Sequence, residues 1–282
     1  MKLSIGPRIL QGLGGCNHTV SECLQVCKKV GFDTFDFGIL SRVGSCLIYY
    51  DDWEARAKNL AEESSKLGVT FFQSHAPYAF FMYNDLDFYR EITRRTFEVA
   101  AILGAKYIVI HADLKPKKDE VYDMEKSLQT AYEFYAPFVE LGKKLGVGVA
   151  IENLFEIKNK YIFTAKVEEQ LAIIQKFNDE SVSACWDFGH GYVMHGENHL
   201  NELRKLGNLL TCTHVSDNTQ KKDLHLIPFM GDINWKDVIA YLKEIGYSGT
   251  FNFELKLGAV PAPLLDSYLK LIYDTGSYLL TL

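Results

Sequence analysis

Nine residues with metal-ligand or acid/base side chains fall at one kind of place in this chain, the end of a strand-like apolar run or the loop just after it. They are His75, His111, Glu152, Asp187, His190, His214, Asp223, His225 and Glu254. The stretch Val147 to Asn153 shows the pattern most plainly. A run of small and β-branched residues, of the kind that forms a strand buried on both faces, ends abruptly on a carboxylate. A charged Glu152 does not stay unpaired in such a core; it sits at a rim facing solvent or is tied to a cation. Taken singly, each of the nine has an ordinary structural explanation: a lone His at a strand end is a hydrogen-bonded rim residue, and a lone carboxylate is a solvated charge. As a set they differ, because five of the eight histidines sort to one predicted face. Imidazole and carboxylate together bind first-row divalent metals. Carboxylates on two well-separated strands, Glu152 and Glu254, would flank a substrate bound at such a metal. That arrangement removes a proton from one face of a carbon and returns one at the other, while the metal polarises the neighbouring carbonyl and stabilises an enediolate.

The elements that must position these residues alternate in type. Strands are expected at Lys2 to Gly6, Thr34 to Gly38, Thr70 to His75, Tyr107 to His111, Val147 to Asn153, Val182 to Trp186, Leu209 to His214 and Thr250 to Leu255. Helices are expected between and after them, with Thr19 and Glu22 as a capping box for the first and Gly31 at its end. A polar helix is expected near 197–206, with Asp187 to His190 and Asp223 to His225 in loops. Pro137, inside a helix spanning about 123–145, is expected to kink or split it. Strict βα alternation implies a parallel sheet with helices outside, and eight repeats in 282 residues imply one closed (β/α)8 TIM barrel covering residues 1–282. Its site lies at the C-terminal ends of the strands. The competing open, doubly wound sheet normally carries a GxGxxG turn after its first strand, and Gly12-Leu13-Gly14-Gly15 lacks that spacing.

Bulk properties narrow the function. The chain is 48% hydrophobic and 23% charged, and 30 basic against 36 acidic side chains give a net charge of −6, which disfavours a nucleic-acid partner. Gly6, Pro7 and Arg8 break the first apolar stretch, so no signal peptide is expected there. No run approaches the ~20 apolar residues of a membrane helix. Six cysteines without a CxxC pair indicate a reducing compartment, hence a cytoplasmic protein.

Several motifs carry a resemblance: Ile151-Glu152-Asn153, Asp187-Phe188-Gly189-His190, His214-Val215-Ser216-Asp217, Asp223-Leu224-His225 leading into Gly231-Asp232-Ile233-Asn234-Trp235, and Phe253-Glu254. With them the chain resembles, over essentially its whole length, the xylose-isomerase-like barrel superfamily, which includes sugar and sugar-phosphate isomerases and epimerases, inosose dehydratases and endonuclease IV. The epimerase branch implies Glu152, Asp187, His214 and Glu254 as ligands of one divalent metal (Mn, Co, Mg or Zn). Glu152 and Glu254 double there as the acid/base pair, and His190 holds a substrate hydroxyl. Endonuclease IV, a zinc-dependent phosphodiesterase acting on abasic DNA, implies a three-metal cluster, and His75, His111, His190, Asp223 and His225 match its extra ligands. Around them the chain departs from that branch. Leu154-Phe155-Glu156 stands where a small Gly-containing turn is expected, Phe188-Gly189 where Thr-Cys is expected, and Leu224 where Arg is expected.

The expected function is therefore a metal-dependent sugar or sugar-phosphate isomerase or epimerase, with the DNA-repair phosphodiesterase as the alternative. A non-catalytic carbohydrate-binding barrel is a third reading, and a complete ligand set argues against it. Expected partners are a small carbohydrate, phosphorylated or not, with no membrane and no nucleic acid; a homo-oligomer is compatible with the sequence. Lys256 shares a strand face with Glu254 and is a candidate substrate contact or a charge offset. Tyr78 opens the aromatic stretch Tyr78 to Tyr83, either a sugar-binding wall or a small loop core. Arg42, Lys115, Lys117, Lys118, Lys221 and Lys222 are candidate phosphate ligands or plain solvated loop charges. Trp186 and Trp235 are expected to be packing residues.

Overall fold

Short apolar parallel strands alternate along the chain with helices, most of them amphipathic, and the chain closes these units into a (β/α)8 barrel. The structure is a computed structural model describing residues 1–6, 19–38, 46–78, 85–114, 121–156, 160–219, 222–256 and 260–282. The elements are β1 (Lys2–Ile5), α1 (Val20–Val30), β2 (Thr34–Gly38), α2 (Trp53–Leu67), β3 (Thr70–His75), α3 (Leu86–Leu103), β4 (Tyr107–Ile110), α4 (Met124–Leu145), β5 (Gly148–Glu152) and α5 (Val167–Phe177). They continue with β6 (Val182–Asp187), α6 (Phe188–His195), α7 (His199–Arg204), β7 (Leu210–His214), β8 (Asp217–Thr219), β9 (Lys222–Leu226), α8 (Trp235–Glu244), β10 (Thr250–Phe253) and α9 (Leu265–Thr281). The eight-stranded sheet runs β10-β1-β2-β3-β4-β5-β6-β7. It closes through Val215, whose N–H donates to Asn252 O at 2.7 Å and whose carbonyl accepts from Glu254 N at 3.1 Å.

Local chemistry explains where the helices start and stop. Thr19 and Glu22 form the expected capping box, with Glu22 N donating to Thr19 Oγ1 at 3.2 Å and Thr19 N to Glu22 Oε2 at 2.7 Å. Gly146, at φ 73°, ends α4 in the left-handed conformation and turns the chain into β5 within two residues. Pro137 does not split α4. The helix is continuous over 22 residues, capped by Asp123 and buried along Leu128, Ala131, Tyr135, Phe138 and Val139. The apolar face held against the sheet outweighs one missing backbone hydrogen bond. Outside the strands, the helices' apolar faces build the main core. Inside, Val109, Ala150, Cys185 and Cys212 form a separate small-residue plug beneath the strand ends. The five described cysteines are buried. No helix among the described residues is long and apolar enough to cross a membrane.

Two segments differ from the expected loops, and both carry candidate ligands. After β6 the chain enters α6 at once, because the Asp187 carboxylate caps it by accepting from His190 N at 2.7 Å. The polar helix expected near 197–206 is only the shorter α7, His199–Arg204, preceded by one 3-10 turn. After β7 the chain folds into the antiparallel hairpin β8-β9 rather than a loop. Buried Asp217 ties this hairpin to the following segment. Its Oδ2 accepts from Phe229 N at 2.8 Å and Trp235 Nε1 at 2.9 Å, and its Oδ1 accepts from Asn218 N at 2.9 Å and Ile233 N at 3.2 Å. Asp217→Ala would leave these donors without their acceptor. The expected loss is about 3 kcal/mol of unfolding free energy, read as a lower urea midpoint at unchanged slope; a change below about 0.5 kcal/mol would show that the carboxylate is not the tie.

Candidate active site

All nine residues singled out from the sequence meet at the C-terminal rim of the barrel, and they fall into three groups whose donor atoms lie within 4.8 Å of one another. The groups are His75, His111 and Glu152; Glu152, Asp187, His214 and Glu254; and His190, Asp223 and His225. Glu152 is the member common to two of them. Its Oε2 lies 3.1 Å from His75 Nε2 and 3.0 Å from His111 Nε2, and its Oε1 lies 3.3 Å from His190 Nδ1 and 3.2 Å from His214 Nδ1. Its side chain is 1% exposed. Glu254 approaches the same His214 Nδ1 from the other side, at 2.8 Å, with a side chain that is 34% exposed.

The backbone fixes most of these rings. The Nδ1–H of His75 donates to Ala76 O at 2.8 Å, that of His190 to Asn153 O at 3.0 Å, and that of His225 to Glu254 O at 2.9 Å. Each bond turns Nε2 toward the donor groups, that of His75 to Glu152 Oε2 at 3.1 Å and that of His225 to Asp223 Oδ2 at 2.9 Å, the orientation of metal-binding imidazoles whose second nitrogen is held by a carbonyl. His225 needs a left-handed backbone, φ 49°, to reach this position. Asn218 of the hairpin supports it by accepting from Leu224 N at 2.6 Å and His225 N at 3.0 Å, and it donates to Asp223 Oδ1 at 3.2 Å.

The charges are interdependent. Burial pushes the Glu152 carboxyl up, but His214, His111 and His190 outweigh it and hold the group well below the usual carboxylate range. Burial dominates at Asp187 and raises it to about 6. Burial would lower His190, yet Asp187 and Glu152 raise it to about 10. His111 moves the other way, lowered chiefly by burial. Without a metal, the cluster is thus held together by carboxylates and imidazolium ions. Asp187 Oδ2 and both ring nitrogens of His214 are buried without a partner in hydrogen-bond geometry. Donor type, convergence and these unsatisfied atoms all fit a divalent cation in the Glu152, Asp187, His214, Glu254 group.

Next to the donors is a cavity of about 410 Å³, lined by Tyr78, His111, Glu152, His190, Glu254 and Lys256 among others. Tyr78 packs on His75 and His111 with ring centroids 5.4 and 4.9 Å apart, so it forms a wall over the first donor group. Lys256 Nζ lies 3.3 Å from Asp223 Oδ2. Sequence reading missed Asp113, Phe155 and Ile162, which also line this cavity. Phe155 packs on His190 at 4.8 Å. The apolar residues carry no signal that separates a cavity wall from a core position. Asn153, in the sequence only the second half of a Glu-Asn motif, is a clamp: its side chain accepts from Asp187 N at 2.6 Å and donates to Asp187 O at 3.0 Å. A larger depression of about 820 Å³ at the opposite end of the barrel is lined by Phe72, Lys106, Lys143 and Tyr247, and none of the nine residues faces it. Arg42, Lys115, Lys117, Lys118, Lys221 and the stretch from Ala79 to Tyr83 lie outside the described residues. Lys222 starts β9, exposed. Trp186 and Trp235 are buried packing residues, as expected.

Comparison with known proteins agrees with this architecture. An uncharacterised protein of Sinorhizobium fredii is 26% identical over 168 residues, 58% of this chain, and the chain spans about half of that relative's length, 51%. A D-psicose 3-epimerase of Ruminiclostridium cellulolyticum is 24% identical over 242 residues, 82% of this chain and 76% of that enzyme. Among solved structures, a D-tagatose 3-epimerase-like protein superposes with a TM-score of 0.78 at 20% identity, covering 100% of this chain and 98% of the other, a likeness of fold. The family model described as xylose isomerase-like TIM barrel matches residues 24–269. The chain belongs to the xylose isomerase-like TIM barrel family.

Proposed function

We propose that this chain is a sugar or sugar-phosphate isomerase or epimerase that moves a proton at a carbon next to a carbonyl, with Glu152 and Glu254 as the acid/base pair. The observation that carries this reading is the pair of carboxylates. Both lie within 3.2 Å of His214 Nδ1 and both line one cavity of about 410 Å³, a volume suited to a small carbohydrate. The similarity to the D-psicose 3-epimerase supports the substrate class.

Glu152, Asp187, His214 and Glu254 would hold the divalent metal, which supplies polarisation of the substrate carbonyl and of the hydroxyl beside it. Glu254 is the more accessible carboxylate and reaches substrate from the cavity side. Glu152 faces the same cavity from beneath, held by His75 and His111 on one oxygen. His190 spends its Nδ1–H on Asn153 O, so its Nε2 is left for a substrate hydroxyl. Lys256 and Tyr78 line the outer wall and bind the non-reacting end.

A second reading, a metal-dependent phosphodiesterase acting on abasic DNA, is favoured by one observation: nine donors form three groups, with Glu152 common to two. Solvent exchange separates the two. The metal-loaded protein, screened against ketoses and their phosphates in D₂O, is expected to wash deuterium into the sugar next to the carbonyl. Glu254→Gln should lower that exchange by about 100-fold or more while the fold stays intact. Metal-dependent nicking of an abasic duplex, with no exchange on any ketose, would replace this reading by the second.

The metal requirement has its own signature in stability. His190 is raised from 6.5 to about 10 in the folded, metal-free protein, so its contribution is present below pH 6.5 and fades as pH rises toward 10. Metal-free protein should therefore begin to lose thermal stability between pH 6.5 and about 7.5, below the range where the thiols of the unfolded chain ionise. With saturating Zn²⁺ or Mn²⁺ the trend should reverse, because binding needs neutral imidazoles and releases protons. A metal-loaded melting temperature that still falls in parallel with the metal-free one would count against the site as a metal centre.

A further inference from the structure

We propose that the outer side of α9 is a self-association surface, on which a second copy of this chain packs antiparallel across a two-fold axis beside Tyr273. The inner face of α9, with Leu265, Leu269, Ile272, Gly276 and Leu279, is buried, and Gly276 lies against Leu3 and Phe253. Its outer side is not covered. Leu264, Tyr268, Leu271, Tyr278 and Leu282, on α9 or capping its ends, are five of the twelve exposed large apolar side chains among the described residues. Among the other described α-helices only α3 contributes one, Phe88. Single exposed apolar residues are ordinary, whereas a contiguous row marks an interaction surface. With half-buried Thr275 in its gap, this row advances by alternate steps of four and three residues, the spacing that seats one helix along another over about 27 Å. Phe229 widens it. Its ring, 55% exposed, lies 6.0 Å from that of Tyr278, and it is presented by a left-handed backbone, φ 74°, that is unfavourable for a residue with a Cβ.

The order of the side chains says what covers the row. Outward from Tyr273 it reads nearly the same in both directions: Leu271 and Thr275, then Tyr268 and Tyr278, then Leu264 and Leu282. Two antiparallel copies related by a two-fold axis there bring Leu264 onto the partner's Leu282, Tyr268 onto the partner's Tyr278 and Leu271 onto the partner's Thr275. An isologous interface requires this self-complementarity, and an unrelated partner does not. Charge points the same way. No residue of the row is charged. Asp266, Lys270 and Asp274 fall by helical spacing on the other side of the exposed face, and all three are paired, Asp266 with Lys29 of α1 at 2.5 Å and Lys270 with Asp274. A lipid surface or a nucleic acid requires a basic flank beside the row, and α9 supplies two carboxylates for one lysine. Tyrosine and leucine without charge at the centre of a patch fit a protein interface. One helical row is small for such an interface, so the association is reversible and depends on concentration. The proposal is independent of the reaction assigned to the rim.

Sedimentation equilibrium of the full chain tests this. Wild type should rise from the monomer mass to twice that mass as its concentration is raised from about 1 μM to about 1 mM. Leu271→Lys and Tyr278→Lys should each weaken association by about 100-fold or more at unchanged circular dichroism, since a symmetric dimer carries each substitution twice. Ser267→Lys, on the polar side of α9, should associate as wild type does. The register has its own check. Leu271→Lys and Thr275→Glu chains, mixed in equal amounts, should associate more tightly than either alone, because the new cation of one meets the new anion of the other. A wild type that stays monomeric to about 1 mM would overturn the proposal, as would a dimer that survives both Leu271→Lys and Tyr278→Lys. A mixture no tighter than its parts would overturn the antiparallel pairing. Wild-type monomer that binds vesicles of phosphatidylcholine and phosphatidylserine, with binding lost in Tyr278→Lys, would give the row to a lipid surface instead.

Discussion

A buried carboxylate between four imidazoles is the constraint around which this barrel is arranged. An unpaired charge with 1% exposure is unaffordable in a protein interior, and Glu152 is stable there because His75, His111, His190 and His214 approach its two oxygens within 3.3 Å. Those four rings arrive from β3, the end of β4, the first turn of α6 and the end of β7. Only strands whose C-terminal ends share one rim deliver side chains from so many places in the chain to one carboxylate, and a closed parallel sheet does this without long connections. The small plug of Val109, Ala150, Cys185 and Cys212 belongs to the same requirement, since bulkier residues directly beneath the rim would spread the strand ends and separate the donors.

The supporting interactions are polar and join elements rather than filling space. Asn153 fastens the end of β5 to Asp187 at the end of β6. Gln170 from α5 donates to the carbonyls of Ile151 at 2.6 Å and Cys185 at 2.9 Å, bracing the same two strands from outside. Asp187 divides its oxygens between two tasks, Oδ1 capping α6 and Oδ2 facing the donor group, so the helix that carries His190 is indexed to the ligand beside it. An added Cβ at Gly189 would meet the side chains of Ser216 and Asn218, so glycine there lets α6 approach the hairpin that carries Asp223 and His225. The rim is positioned as one unit.

What was legible in the sequence, and what was not, follows from range. Strand ends announce themselves locally: an apolar run stopping on His75, Glu152 or His214 is visible in half a dozen residues, which is why nine candidates were found and why all nine meet. Asp187 was legible as a ligand type but not as the cap that turns Phe188 to His195 helical, because both tasks use one side chain and a local reading assigns it one. The hairpin was invisible for a related reason: its strands are three and five residues long, and Asp217, which ties it down, finds its partners 12 to 18 residues later. Asp36 was passed over although a carboxylate between Phe35 and Phe37 breaks an apolar strand in the same way as Glu152. Its partners lie 37 and 216 residues away in the chain, and no periodicity links them.

The two carboxylates proposed to exchange protons with substrate are not equivalent, and their difference bears on how one scaffold admits two chemistries. Glu254 makes one short contact, to His214, and a third of its side chain is open to the cavity. Glu152 is closed in by imidazoles on both oxygens. A carboxylate so placed is first a structural hub, and under the proposed function it would meet substrate only if the hold of His75 and His111 on Oε2 were relaxed or if those two rings were themselves occupied by a cation. In the first case Glu152 and Glu254 would act as the proton-transfer pair; in the second Glu152 would be taken up in holding a cation and Glu254 would be left as the accessible base. On the proposed reading, the chemistry of this rim would turn on the state of His75 and His111 more than on the four-donor group, which would serve either case. His111, whose ring burial drives toward the neutral form, is the member of that pair already in the protonation state that a cation requires.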